Sequence, residues 1–190
     1  MRGALLALVV LLAVPAGAWA APRKYTNAYD EYFRKYSKHY FGVGFDWRWF
    51  KAQAVAESGL DAKAESWCSA KGIMQLMPST FEEIRRAKPD LADIMDPRWN
   101  IAAGIHYDHL LWRTWSTVDP TTDRLSFTFG SYNAGPGTLR KARDVARGKG
   151  HDENRWDSII QVAGEVPRWR EEETLAYVRK IVELMAVVDR

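Results

Sequence analysis

Apolar residues recur every three or four positions along most of this chain, and no convincing two-residue alternation competes with that period. Tyr25, Tyr29, Tyr32, Phe33, Tyr36 and Tyr40 fall on one face of a first helix. Asp46 reads as the N-cap of a helix from Trp47 to about Ser58, with Gly59 as its stop. Pro78 suits the first position of a helix through Arg86, and Asp96-Pro97 repeats that start signal for a longer helix ending near Trp115. Leu125, Phe129 and Tyr132 mark a helix that breaks at Gly135-Pro136-Gly137, and Leu139, Ala142 and Val145 mark another. A last helix, about Glu171 to Val188, turns Leu175, Val178, Ile181, Val182 and Met185 inward. Residues 60–77 fit either a short β-hairpin or an irregular loop. The pattern predicts an all-α domain, interrupted only there.

The first twenty residues stand apart from that pattern. Arg2 supplies a positive start, Leu5 to Val14 an apolar core, and Ala18-Trp19-Ala20 a small-x-small cleavage site. They read as a secretory signal peptide cut after Ala20, with an apolar stretch too short to span a membrane comfortably. No cysteine follows the cut to carry a lipid, so the expectation is a soluble, exported chain. Residues 21–190 then form a single domain, with no repeat or linker to divide them. Losing Arg2 lowers the net charge from +3 to +2. That balance suits an acidic polymer without identifying one, and no concentrated basic face suggests a nucleic acid. Cys68 is the only cysteine, so no disulfide can form within the chain. Nine tryptophans suit both a dense core and a groove for sugar rings.

Chemistry concentrates at Glu57. Ala54, Val55 and Ala56 precede it near a helix end, a setting in which a carboxyl loses solvent. Desolvation disfavours the ionised form and raises the pKa, leaving a proton to give to a glycosidic oxygen at neutral pH. Most glycosidases pair two carboxylates. Asp61 lies past Gly59, where it more naturally terminates a turn, and the spacing does not place Glu65. The absence of an obvious partner fits a route in which one Glu acts twice, first donating its proton and then accepting one from the sugar's own 6-hydroxyl.

Four segments carry a resemblance. Ala56-Glu57-Ser58-Gly59, Gly72-Ile73-Met74-Gln75-Leu76-Met77-Pro78, Tyr132-Asn133-Ala134-Gly135 and Glu173-Thr174-Leu175-Ala176-Tyr177-Val178 resemble, in order and spacing, motifs of the lytic transglycosylase catalytic domain. These lysozyme-like enzymes cut bacterial peptidoglycan, and the resemblance spans about residue 45 to 185. It implies a lysozyme-like helical fold with Glu57 as the catalytic acid. It further implies that Ser66 steadies the reacting sugar, that Met74 and Gln75 line the groove, and that the Tyr132 hydroxyl and Asn133 amide lie near the acid. Glu173 and Tyr177 would face the glycan. The implied reaction cleaves the bond between MurNAc and GlcNAc and leaves a 1,6-anhydro end. Ser69 stands where the family usually has glycine before Ala70, and Trp67-Cys68 is unusual; both bear on the shape of that loop.

Other readings stay open on sequence grounds. A goose-type lysozyme would use water on the same fold, and a glycan-binding assembly component could keep the fold without turnover. The family also serves secretion systems, conjugation machines and pili, so a partner in such an assembly is compatible with the chain, as is action in the periplasm or outside the cell. His106 and His109 have helical spacing, but no third ligand is evident and Ile101, Ile105 and Trp112 explain a packed helix. No metal or cofactor is expected.

Overall fold

The computed structural model describes residues 25–188. The leader expected over residues 1–20 lies outside the described residues. Among the described residues there are eight α-helices: α1 Asp30–Phe41, α2 Arg48–Ser58, α3 Pro78–Ala87, α4 Pro97–Thr114, α5 Thr121–Ala134, α6 Pro136–Gly148, α7 Trp156–Val162 and α8 Glu171–Met185. A 3₁₀ turn, Ala163–Glu165, follows α7.

Punctuation in the sequence accounts for most boundaries. Gly59, in the left-handed region at φ 68°, ends α2. Pro78 and Pro97 open α3 and α4, and the Asp96 carboxylate accepts the Arg98 N–H at 2.8 Å as a true cap. Asp46 behaves similarly, accepting the Arg48 N–H at 3.1 Å, so α2 begins one residue later than the pattern suggested. At Gly135 the chain turns and Pro136 starts α6 at once, with no intervening loop.

The helices pack around one core. α2 lies chiefly against α8, while α4 is held between α1 and α5, and α5 also meets α6 and α8. Phe33, Phe50, Ile101, Ile105, Phe127, Leu139 and Ile181 are wholly buried where these faces converge. Of the tyrosines expected on one face of the first helix, Tyr32, Tyr36 and Tyr40 lie on α1, whereas Tyr25 and Tyr29 precede it; Tyr36 is buried and the other four pack at the edge of the core. Other expectations need correction too. Val182 is half exposed, because it borders an open groove between α7 and α8 beside Ile160. α7 was not expected at all; with seven residues it is too short to display a period.

An ion pair is buried at the seam of α1 and α2. Lys51, wholly inaccessible, places its ammonium 2.7 Å from the Asp30 carboxylate and donates to the Asn27 side-chain oxygen at 3.1 Å. Trp47 lies beneath it, with the ammonium 5.9 Å from its ring centre. Taking two charges out of water is costly, and only their pairing offsets it. Lys51→Met should therefore destabilise the fold by about 3–5 kcal/mol in urea unfolding, because Asp30 is left charged and dry. The double change Asp30→Leu with Lys51→Met should recover most of that loss; an undiminished loss would mean the pair acts through packing instead.

Candidate active site

Glu57 occupies the last turn of α2, behind the buried Ala54 and Val55. Its side chain remains half-buried, with protein crowding it on most sides. That desolvation raises its pKa from the ordinary carboxyl value to about 7. Two neighbours act the other way. The Tyr177 hydroxyl donates to Glu57 Oε1 at 2.5 Å, and the Lys180 ammonium, anchored on the Ala56 carbonyl at 3.0 Å, adds positive charge. Burial outweighs both. At neutral pH the carboxyl is thus poised between its two forms, with a donor already in place for the anion.

The wall beside Glu57 is the segment 60–77. Its middle forms a rudimentary ribbon through two isolated bridges, Glu65 with Lys71 and Lys71 with Leu76. Its base is pinned from three helices. Ser58, next to the acid, donates from Oγ to the Ile73 carbonyl at 2.8 Å. Asn100 of α4, wholly buried, accepts the Met74 N–H at 2.7 Å and donates to the Lys71 and Ile94 carbonyls at 2.9 and 2.8 Å. Tyr132 of α5 donates to the Met74 carbonyl at 2.8 Å. Gly72 is required where this grip is tightest. It sits at φ +73°, and a Cβ there would fall 2.5 Å from the Asn100 amide nitrogen. Ser69, at the position where glycine was expected, holds φ 67° despite its side chain.

The residues singled out by sequence fall into distinct places. Tyr177, expected to face the glycan, has its hydroxyl on the Glu57 carboxyl. Met74 is wholly buried, so its side chain fills the core and does not line a groove. The hydroxyl of Tyr132 donates to the Met74 carbonyl; burial, and then the charge of Glu57, raise its pKa, so Glu57 lies within electrostatic reach of it. Gln75, in a left-handed conformation at φ 46°, donates its amide to the Gly72 and Ala64 carbonyls at 3.0 and 3.3 Å, tying the two limbs of the ribbon. Ser66 Oγ accepts the Ala70 N–H at 2.9 Å and lies 3.1 Å from the exposed Cys68 thiol.

On the opposite side, Asn133 is exposed and accepts from the Thr174 hydroxyl at 2.7 Å, which in turn accepts from the Trp169 indole at 3.0 Å. Glu173 is exposed and paired with Arg170 at 2.6 Å. These residues border a hollow of about 210 Å³ between the end of α5 and the start of α8. The Glu173 charge reaches the Cys68 thiol, so the tip of the ribbon and the start of α8 are neighbours. Asn100, Thr174 and Lys180 were missed by sequence. Nothing in the sequence marked them, since each acts on a residue far along the chain.

Among the described residues no group of three or more His, Cys, Asp and Glu side chains is arranged to hold a metal ion. His109 stacks on Tyr40 at 6.1 Å between ring centres and His106 packs against it tilted, at 4.9 Å, and burial drives the His106 pKa down to about 4.

Residues 31–154 match the family described as the Transglycosylase SLT domain. That stretch includes Glu57, Ser66, Met74, Gln75, Tyr132 and Asn133, and stops short of Glu173 and Tyr177. Membrane-bound lytic murein transglycosylase F of Desulfosudis oleivorans is 37% identical over 119 residues, 63% of this chain and 25% of that protein. The protein of the same description from Maricaulis maris is 32% identical over 141 residues, covering 74% and 30%. The chain thus spans about a quarter to a third of these relatives' length. Two solved structures share its fold over 86% of this chain and 24% of theirs. One is the 70 kDa soluble lytic transglycosylase of Escherichia coli, at TM-score 0.60 and 22% identity. The other is an inactive mutant of lytic transglycosylase Slt from Pseudomonas aeruginosa, at 0.67 and 24%. The all-α fold is therefore lysozyme-like, as expected.

The Tyr177 hydroxyl favours the ionised Glu57, so removing it has a definite sign. In Tyr177→Phe the titration midpoint of Glu57, followed by carbon NMR, should move above about 7 by roughly one unit, the worth of one hydrogen bond to a charged group. A downward shift would mean that the hydroxyl serves the protonated form instead.

Proposed function

The chain belongs to the Transglycosylase SLT domain family, and on that premise we propose that it cleaves the β-1,4 bond between MurNAc and GlcNAc in peptidoglycan and leaves a 1,6-anhydro-MurNAc end. The observation that carries this reading is the half-buried Glu57 carboxyl, with its pKa near 7 and a tyrosine hydroxyl on one oxygen. A protonated Glu57 gives its proton to the glycosidic oxygen as the C1–O bond breaks. The resulting carboxylate is steadied by Tyr177 and Lys180. It then removes the proton from the 6-hydroxyl while O6 bonds to C1, and Glu57 is restored. One carboxyl serves as acid and then base, and no water enters.

The neighbouring acids support a single-carboxylate route. Asp61 is exposed and accepts the Lys63 N–H at 2.8 Å, which makes it a turn-former. Glu65 lies in the ribbon 3.6 Å from the Lys71 ammonium. Ser66, Gln75, Asn133 and Glu173 would border the glycan, with Ser66 and Gln75 on the ribbon and Asn133 and Glu173 across from it. For Gln75 and Asn133 the evident role is to shape the walls. The substrate places the reaction at the bacterial cell wall, in the periplasm or outside the cell. No helix among the described residues is long and apolar enough to cross a membrane. Opening the wall locally for a secretion, conjugation or pilus assembly would suit such an activity.

Glu57→Gln keeps the shape and removes the transferable proton, so turnover of purified peptidoglycan should fall at least ~10²-fold while the melting temperature holds. Near-normal turnover would remove Glu57 from the reaction. In the active protein, mass spectrometry should find chain ends one water lighter than hydrolysed ends. Hydrolysed ends would instead assign a lysozyme-type reaction using water, and binding without any cleavage a glycan-binding role.

A further inference from the structure

A second carboxyl lies buried one helical turn behind the acid. Gln53 precedes Glu57 by four residues on α2, and both Gln53 and Asp108 of α4 are wholly inaccessible. The Gln53 amide donates to Asp108 Oδ1 at 3.2 Å. Gln53 Oε1 and Asp108 Oδ2 are then left without a hydrogen-bond partner, which is rare for buried oxygens and costly if both only accept. The groups whose charges act on or feel Asp108 are Glu57 of α2, Tyr132 of α5, Tyr177 of α8 and Tyr107 on its own helix. None of these is a cation. An ionised Asp108 would be a dry anion facing a second carboxyl, with one amide to hold it.

A single proton resolves both vacancies. We propose that Asp108 is held as a neutral carboxylic acid in a two-bond cyclic pair with Gln53, the amide donating to Oδ1 and the Asp108 O–H donating to Gln53 Oε1. The pair joins α2 to α4 without placing charge behind Glu57. Asp108 is thereby a positioning residue for the helix that carries the acid, a role that rests on the reading of Glu57 above. The neutrality itself does not. Burial pushes the Asp108 pKa well above the ordinary carboxylate range, consistent with this arrangement, and the nearby Glu57 adds to that push. Were Asp108 ionised, its repulsion would also oppose the Glu57 carboxylate at the moment the reaction creates it.

The test uses proton linkage, independent of catalysis. A group protonated in the folded chain but ionised in the unfolded chain costs stability as pH rises from the unfolded pKa toward the folded one. In a Glu57→Gln background, which removes that titration, Asp108→Asn should gain stability over Asp108 with rising pH. The ratio of unfolding constants, measured in urea from about pH 5 to about pH 7, should widen about tenfold per pH unit. A ratio independent of pH would overturn the proposal. Should the asparagine variant fail to fold, infrared spectra of the Glu57→Gln chain with Asp108 intact decide: a protonated-carboxyl band present near neutral pH and lost on unfolding is expected, and its absence overturns the neutral pair. For the positioning role, Asp108→Leu should lower turnover at least tenfold, and Asp108→Asn, whose amide can still donate to Gln53, should recover most of it. Equal loss in both variants would overturn that role while leaving Glu57 as the acid.

Discussion

Three hydrogen bonds fix the backbone at Ile73 and Met74, and the geometry around Glu57 follows from them. They come from the end of α2, from the start of α4 and from the end of α5. Each is worth only about 1 kcal/mol net, but losing one partner strands a buried donor or acceptor at a cost of about 1–3 kcal/mol. The segment therefore has one place to sit. Because Ser58 supplies one of the three bonds, the ribbon's base is tied to the residue adjoining the acid, and wall and carboxyl are set as a unit. The loop tip, with Ser66, Trp67 and Cys68, lies beyond this grip; Trp67 is 92% exposed.

The same packing that holds the wall controls the acid. α8 lies along α2 and brings Tyr177 and Lys180 to Glu57 while excluding water from it. The hydroxyl and the ammonium favour the anion; the loss of solvent favours the acid and prevails. This balance keeps both protonation states within reach, as the proposed reaction, in which one carboxyl gives and then takes a proton, requires. A fully dry carboxyl without a donor would keep its proton, and a well-solvated one would lose it before substrate arrived.

Much of this was legible in the sequence, for identifiable reasons. Gly59, Pro78, Asp96-Pro97 and Gly135 act locally, through backbone conformation and caps, so their effects need no tertiary information. Glu57 was found because its apolar neighbours forecast its desolvation. The errors have a common source. Met74 and Val182 were placed by motif or by period, but the direction each side chain finally takes depends on another helix: Met74 packs over Gly104 of α4, and Val182 meets an open groove. Asn100, Gln53 and Asp108 were invisible for a related reason. A polar residue on an apolar helix face gains meaning only when its distant partner is known, and these partners lie 26 and 55 residues away.

The bond between Tyr177 and Glu57 joins residues 120 positions apart, the acid on an early helix and its hydroxyl on the last of the eight. Before α8 docks, Glu57 keeps its water, and a solvated glutamate has a pKa of about 4.3, hence no proton to give at neutral pH. The raised pKa that the proposed reaction needs therefore depends on the final helix lying over α2. The raised pKa is thus a property of the docked helices and not of the residue, and a chain whose last helix is undocked carries Glu57 without it.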